Sequence, residues 1–92
     1  MWILTINGRE KEGAYSAINE DGDNVLYLFE EEDDATRFAM MLEEMDYPEM
    51  HVMEVDDSLV LKTCDIQGYL YTIITSNDIV IPPEEYENYD FI

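Results

Sequence analysis

Apolar positions along the chain fall into short runs separated by polar turn-formers, and their period changes from two to 3.6 and back. Trp2 to Ile6 (WILTI) is rich in β-formers and stops at Asn7-Gly8, a strong turn signal. Gly8 to Gly13 is polar and glycine-flanked and reads as a mobile loop; Ala14 to Ile18 (AYSAI) is a weak strand. Asn19 to Asn24 (NEDGDN) is turn chemistry throughout, and Val25 to Glu30 (VLYLFE) is a nearly continuous apolar run, the pattern of a central strand. From Ala35 the period lengthens. Ala35, Phe38, Ala39, Leu42 and Met45 lie on one helical stripe that Met41 widens, while Arg37, Glu43 and Glu44 point elsewhere. Asp33 or Asp34 is expected to cap this helix, and Tyr47-Pro48 to end it, because a residue before proline is pushed out of helical geometry.

Period two returns at Met50 to Val55 (MHVMEV), which reads as a strand. Asp56-Asp57-Ser58 then caps a shorter helix in which Leu59, Thr63 and Ile66 share a face with Val60, and Gly68 closes it in a left-handed conformation. Tyr69 to Thr75 (YLYTIIT) is the strongest strand of the chain, and Ile79 to Ile81 is a candidate hairpin partner for it. The order strand, weak strand, strand, helix, strand, helix, strand predicts an α+β fold. The expected architecture is a two-layer sandwich of ferredoxin-like character, a four- to five-stranded sheet with two helices on one face. Residues 1–83 are expected to form a single domain, and 84–92 an acidic aromatic C-terminal tail.

Charge narrows the functions open to this fold. Against 23 Asp and Glu stand 4 Lys and Arg, for a net charge of −19 in 92 residues. With Arg9, Lys11, Arg37 and Lys62 as its only fixed cations, the chain cannot neutralise enough phosphates to bind nucleic acid. Anionic membranes repel it, and no apolar run of spanning length is present. The opening segment carries no basic region ahead of its apolar run and does not read as a signal peptide. The single Cys64 cannot form an internal disulfide, which points to a reduced, cytoplasmic or organelle-stromal setting with a half-buried thiol, and cytoplasmic is the location expected. Two origins of the acidity stand side by side: a generally acidic, salt-adapted proteome, and a dedicated basic partner or mimicry of a polyanion such as DNA.

Candidate chemistry is sparse. If Gly22 is placed at the sixth position of a calcium loop, the first ligand position falls on Ala17 and the twelfth on Leu28, neither of which can ligate. A looser carboxylate site would draw on Asp21, Asp23 and Glu31. One His and one Cys do not make a transition-metal site; His51 reads as a partly buried structural histidine, and Asp65 beside Cys64 discourages a thiolate. Phosphate-cradling loops are absent. The expectation is therefore a protein that is not an enzyme and holds no catalytic residues, cofactor or metal. The tail has more to offer: Tyr86, Tyr89 and Phe91 alternate with Glu84, Glu85, Glu87 and Asp90 after Pro82-Pro83, the composition of a segment that docks in an apolar groove rimmed by cations. Its bland alternative is that Phe91 and Ile92 cover the protein's own sheet or a homodimer seam. Met40, off the main helical stripe, is a candidate contact residue.

Val25 to Phe29, the string Asp33-Asp34-Ala35-Thr36-Arg37-Phe38-Ala39 and the step Asp46-Tyr47-Pro48 together carry a resemblance. The chain resembles a family of small, functionally uncharacterised domains found mainly in cyanobacteria and plant plastids. That resemblance implies a photosynthetic-lineage origin and a soluble, non-enzymatic role, and it brings no catalytic residues. The function expected is a small acidic protein-interaction or regulatory module that binds a basic protein surface. The alternatives are a small-molecule or metal-ion sensing domain of ferredoxin-like type, and a polyanion mimic.

Overall fold

The computed structural model describes residues 1–78 and 89–92. The chain forms β1 (Trp2–Ile6), a single 3-10 turn at Glu10–Glu12, β2 (Tyr15–Ile18), β3 (Asn24–Phe29), α1 (Glu32–Glu44), β4 (Met50–Glu54), α2 (Asp57–Gln67), β5 (Leu70–Ile74) and β6 (Tyr89–Phe91). The glycine-flanked segment read as a loop thus contains one helical turn. The candidate partner strand at Ile79 to Ile81 lies outside the described residues.

β3 is the hub of a six-stranded sheet. Along one edge it pairs with β5 in parallel, from Val25 with Leu70 to Phe29 with Ile74. Its other edge is shared: β2 runs antiparallel along Leu26, Val25 and Asn24, and β1 joins at Phe29 through Trp2. β1 carries β4 antiparallel on its far side, and β2 carries β6. Tight local chemistry fixes the β2–β3 register. The Asn19 Oδ1 accepts from the Asp21 and Asp23 amides at 3.0 and 2.9 Å, closing the turn that the NEDGDN string announces.

The class expected from the sequence, an α+β sandwich of one sheet and two helices, is the class the chain adopts. The position of the second helix differs. Along β3, Tyr27 and Phe29 pack into a cluster with Phe38, Ala39 and Leu42 of α1, whereas Leu26 and Leu28 pack with Val60, Leu61 and Cys64 of α2. Successive strand residues point to opposite faces, so α1 and α2 lie on opposite sides of the sheet rather than on one. The cause is the direction of travel. β3, β4 and β5 all run the same way. α1 carries the chain from β3 across β1 to β4, and α2 carries it back past β1 and β3 to β5. Right-handed crossovers taken in opposite directions fall on opposite faces.

α1 is the stronger of the two helices. Ala35, Phe38, Ala39 and Leu42 are buried, as its stripe predicts, with Met41 and Met45 packed against the same cluster and Met40 exposed. Its cap differs from expectation. The N-cap residue is Glu31, with no side-chain cap hydrogen bond, so Asp33 and Asp34 do not cap the helix. Together with Glu32 they lie in the first turn, where their charges favour the positive end of the helix dipole. Asp34 also pairs with Arg37 one turn on, at 3.2 Å. Asp46, in a left-handed conformation at φ 65°, turns the chain out of the helix before Tyr47-Pro48.

α2 is capped as its sequence indicates: the Asp56 carboxylate accepts from the Leu59 amide at 2.9 Å, and Gly68 ends it at φ 72°. Replacing Asp56 with Ala should lower stability by about 1 kcal/mol, the usual cost of losing such a cap. Chemical denaturation of the D56A variant checks this, and the urea slope should stay unchanged. The helix face is another correction. Val60 turns toward the sheet beside Leu61 and Cys64, while Leu59 and Ile66, grouped with it by the sequence, face outward and Thr63 stands exposed at the side of the helix.

Candidate functional site

The α2 side of the sheet holds the larger unfilled apolar space and most of the exposed large apolar side chains among the described residues. Cys64 is the one fully buried residue of α2 and packs against Ala14, Leu26 and Leu28. Burial pushes its thiol up from the ordinary cysteine value, so the neutral form is favoured. Asp65 is the neighbour expected to discourage a thiolate; in the fold the cause is desolvation. His51 stands on β4 and is exposed, not partly buried, and no hydrogen bond joins it to Cys64. A nucleophilic pair therefore has no geometric basis here.

Beside Cys64, between α2 and the sheet, lies a cavity of about 250 Å³. Ile3, Leu26, Met53 and Val60 supply its apolar walls, with Ala14 and Ile92 at one end. Tyr69 also lines it, and the polar side chains of Thr63, Thr5 and Glu10 at its margin are engaged. Thr63 Oγ1 donates to the Leu59 carbonyl at 2.8 Å, and Thr5 Oγ1 donates to the His51 carbonyl. The Glu10 carboxylate accepts from the Gly8 amide at 3.3 Å; backbone hydrogen bonds from Glu10 and Gly8 hold it below its ordinary value, so it stays charged. Sequence reasoning missed this cavity because its walls come from six separate segments that no local period connects.

Outside the cavity the same region is unusually apolar. Among the described residues, Leu59 and Ile66 of α2 and Tyr69, Tyr71 and Ile73 at β5 account for all the exposed large apolar side chains except Met40 and Leu70, and Leu70, paired with Val25, faces the other side. Ile66 and Leu59 are 69% and 65% exposed, which is far from the burial that apolar helix residues ordinarily reach. Tyr71 pairs with Leu26 and so shares its face, as do Ile73 and Tyr69 by alternation. They therefore lie on the same side of the sheet as α2. β5 pairs with β3 along one edge; among the described residues its other edge carries no strand. Acids on this side include Asp57 and Asp65 on α2 and Glu30 where β3 ends, whereas Asp78 lies on the α1 side near Asp34 and Arg37. Lys62 is the cation on α2.

The residues singled out in the tail separate. Phe91, in β6, packs against the α1-side cluster with its ring 6.2 Å from Tyr15, and the Tyr89 backbone pairs with Ala17. Glu84, Glu85, Tyr86 and Glu87 lie outside the described residues. Among the described residues, no three His, Cys, Asp or Glu side chains converge as a metal ion would require, Asp21, Asp23 and Glu31 included. No helix among them is long and apolar enough to cross a membrane.

No curated protein and no solved structure matches the chain. A family model does, over residues 1–84, and it contains the opening strand, the Asp33–Ala39 helix start and both crossovers described above. The chain therefore belongs to the family described as a domain of unknown function, DUF3110.

Proposed function

We propose that the protein is a non-enzymatic interaction module that binds another protein through the exposed face formed by α2 and β5. The observation that carries this reading is the exposure of Leu59, Ile66, Tyr71 and Ile73 on the α2 side of the sheet, where the outer edge of β5 carries no strand among the described residues. Exposed apolar side chains scattered singly are ordinary; several on one side of a sheet, beside an edge that carries no strand among the described residues, favour a contact surface. Main-chain hydrogen bonds along β5 would hold an added strand, and the apolar side chains of this face would give it specificity.

The partner's chemistry follows from charge. The rim acids and the net charge of −19 favour a strand flanked by Lys and Arg, and they oppose a second copy of this chain, which would bring another 19 negative charges to the seam. Electrostatic attraction of this kind raises association rates and weakens as salt is added. A strand-forming peptide of alternating valine and lysine should bind, and its glutamate counterpart should not. Binding should weaken between low and high salt and be lost in the I66D and I73E variants. Equal binding of both peptides, or binding unaffected by those substitutions, would overturn the proposal. So would self-association of the free protein through the same face in analytical ultracentrifugation.

A further inference from the structure

We propose that the cavity between α2 and the sheet is a binding site for a small, uncharged, predominantly apolar molecule of about the size of a single substituted ring. The proposal is independent of partner binding on the outer face.

Size comes first. An apolar cavity of about 150 Å³ is enough to admit a benzene ring in a protein interior, and this one measures about 250 Å³. Wall chemistry fixes the class. Ile3, Leu26, Met53 and Val60 present carbon and thioether surfaces, and Cys64 presents a neutral thiol. Both threonines spend their hydroxyl protons on backbone carbonyls, and the backbone groups of Ala14 and Ile92 bond to each other at 2.8 and 2.9 Å. A mainly apolar cleft whose threonines and strand-end backbone are already satisfied gains little from a polar ligand and penalises a charged one.

The margin settles the sign against anions. Glu10 is held ionised at the cavity's edge by the Gly8 amide, and no cation lines the space. A carboxylate-bearing molecule would meet a like charge on entry and an apolar wall within. A cation would be drawn to the margin, but its charge would find no partner inside.

Position adds a physical reason for the space to remain unfilled by the protein itself. Val60 and Leu61 are only partly buried against the sheet, and the other apolar positions of α2, Leu59 and Ile66, face outward. Side chains on this face therefore leave a gap far larger than the pocket of about 20 Å³ beside α1, which has four buried residues on its stripe.

The test compares benzyl alcohol, benzoate and benzylamine by NMR, following the methyl resonances of Ile3, Leu26 and Val60. Benzyl alcohol should give saturable shifts at these methyls with direct proton–proton contacts to the ring. Benzoate should bind weaker by at least about a hundredfold, since its charge would be buried without a partner. The cavity-filling variant Val60→Phe should abolish the shifts; Thr63→Phe, at a position exposed on α2, does the same if V60F fails to fold. Three results would each overturn the proposal: no saturable shift up to the solubility limit of benzyl alcohol, shifts of equal size in the filled variants, or benzoate or benzylamine binding as tightly as the alcohol.

Discussion

Replacing Phe38 with Ala should cost about 3–5 kcal/mol and leave little of the folded protein at moderate temperature. Phe38 is 1% exposed and stands at the centre of an aromatic cluster. Its ring lies 5.5 Å from Tyr15, 5.5 Å from Tyr27 and 5.6 Å from Phe29, centroid to centroid. These partners come from β2 and β3, so one side chain joins α1 to the two strands on which the sheet is centred. A domain of this size has on the order of 5–10 kcal/mol of total stability, and losing this side chain removes about half of it. Met40, two residues on and exposed, is the control: Met40→Ala should change stability by less than about 0.5 kcal/mol. Urea denaturation followed by circular dichroism gives both values. If F38A unfolded at the same urea concentration as M40A, the assignment of this cluster as the main core would fail.

The α1 half of this picture was legible in the sequence and the α2 half was not. Phe38, Ala39 and Leu42 repeat at helical spacing on a helix with one apolar stripe, so the buried face announces itself. α2 carries apolar residues on several sides: Leu59, Val60, Leu61, Cys64 and Ile66. Spacing alone joined Leu59 and Ile66 to Val60; the strand geometry around Leu26 selects Val60, Leu61 and Cys64 instead. The layering error has the same origin. Element order alone does not reveal that the chain reverses its direction across the sheet between its two crossovers, because that depends on β1 being inserted between β3 and β4. The candidate surface was the least readable part. Tyr71 and Ile73 belong to the strongest strand pattern in the chain, and a strong strand is expected to be covered.

The acids of Glu30 to Asp34 are explained in part by the same geometry. Glu32, Asp33 and Asp34 occupy the first turn of α1, where they complement its dipole, while Glu30 sits where β3 leaves the sheet, its amide donating to the Ile74 carbonyl at 3.0 Å. Glu30 thereby stands at the end of β5, beside the exposed apolar face. An acid there does nothing for helix α1, but it adds negative potential where a basic partner strand would end. Charge that helix physics leaves over is thus located next to the surface the proposed function uses.

The second large effect is expected at Gly13. Its backbone, at φ 118° and ψ −179°, occupies a region that is essentially restricted to glycine and costs other residues about 1–3 kcal/mol. Space makes the position stricter still. A Cβ on Gly13 would come within 2.7 Å of the Ile92 carbonyl oxygen, 2.8 Å of its carbon and 2.9 Å of its nitrogen. These are backbone atoms, fixed by the reciprocal hydrogen bonds between Ile92 and Ala14, so they cannot swing aside as a side-chain tip would. Gly13→Ala should therefore force Ile92 away, break that bonded pair and open the end of the cavity, at a total cost of roughly 3 kcal/mol or more. Gly8 separates the two causes. It too has a positive φ, 84°, but a Cβ there meets nothing within 4 Å, so Gly8→Ala should cost only about 1–2 kcal/mol. Denaturation of the two variants side by side measures the difference, and hydrogen exchange at the Ala14 and Ile92 amides locates it. Faster exchange at both amides in G13A but not in G8A is the expected result. Equal costs with unchanged exchange would mean that the strand end at Ile92 does not press on Gly13, and that this end of the cavity is not held as described.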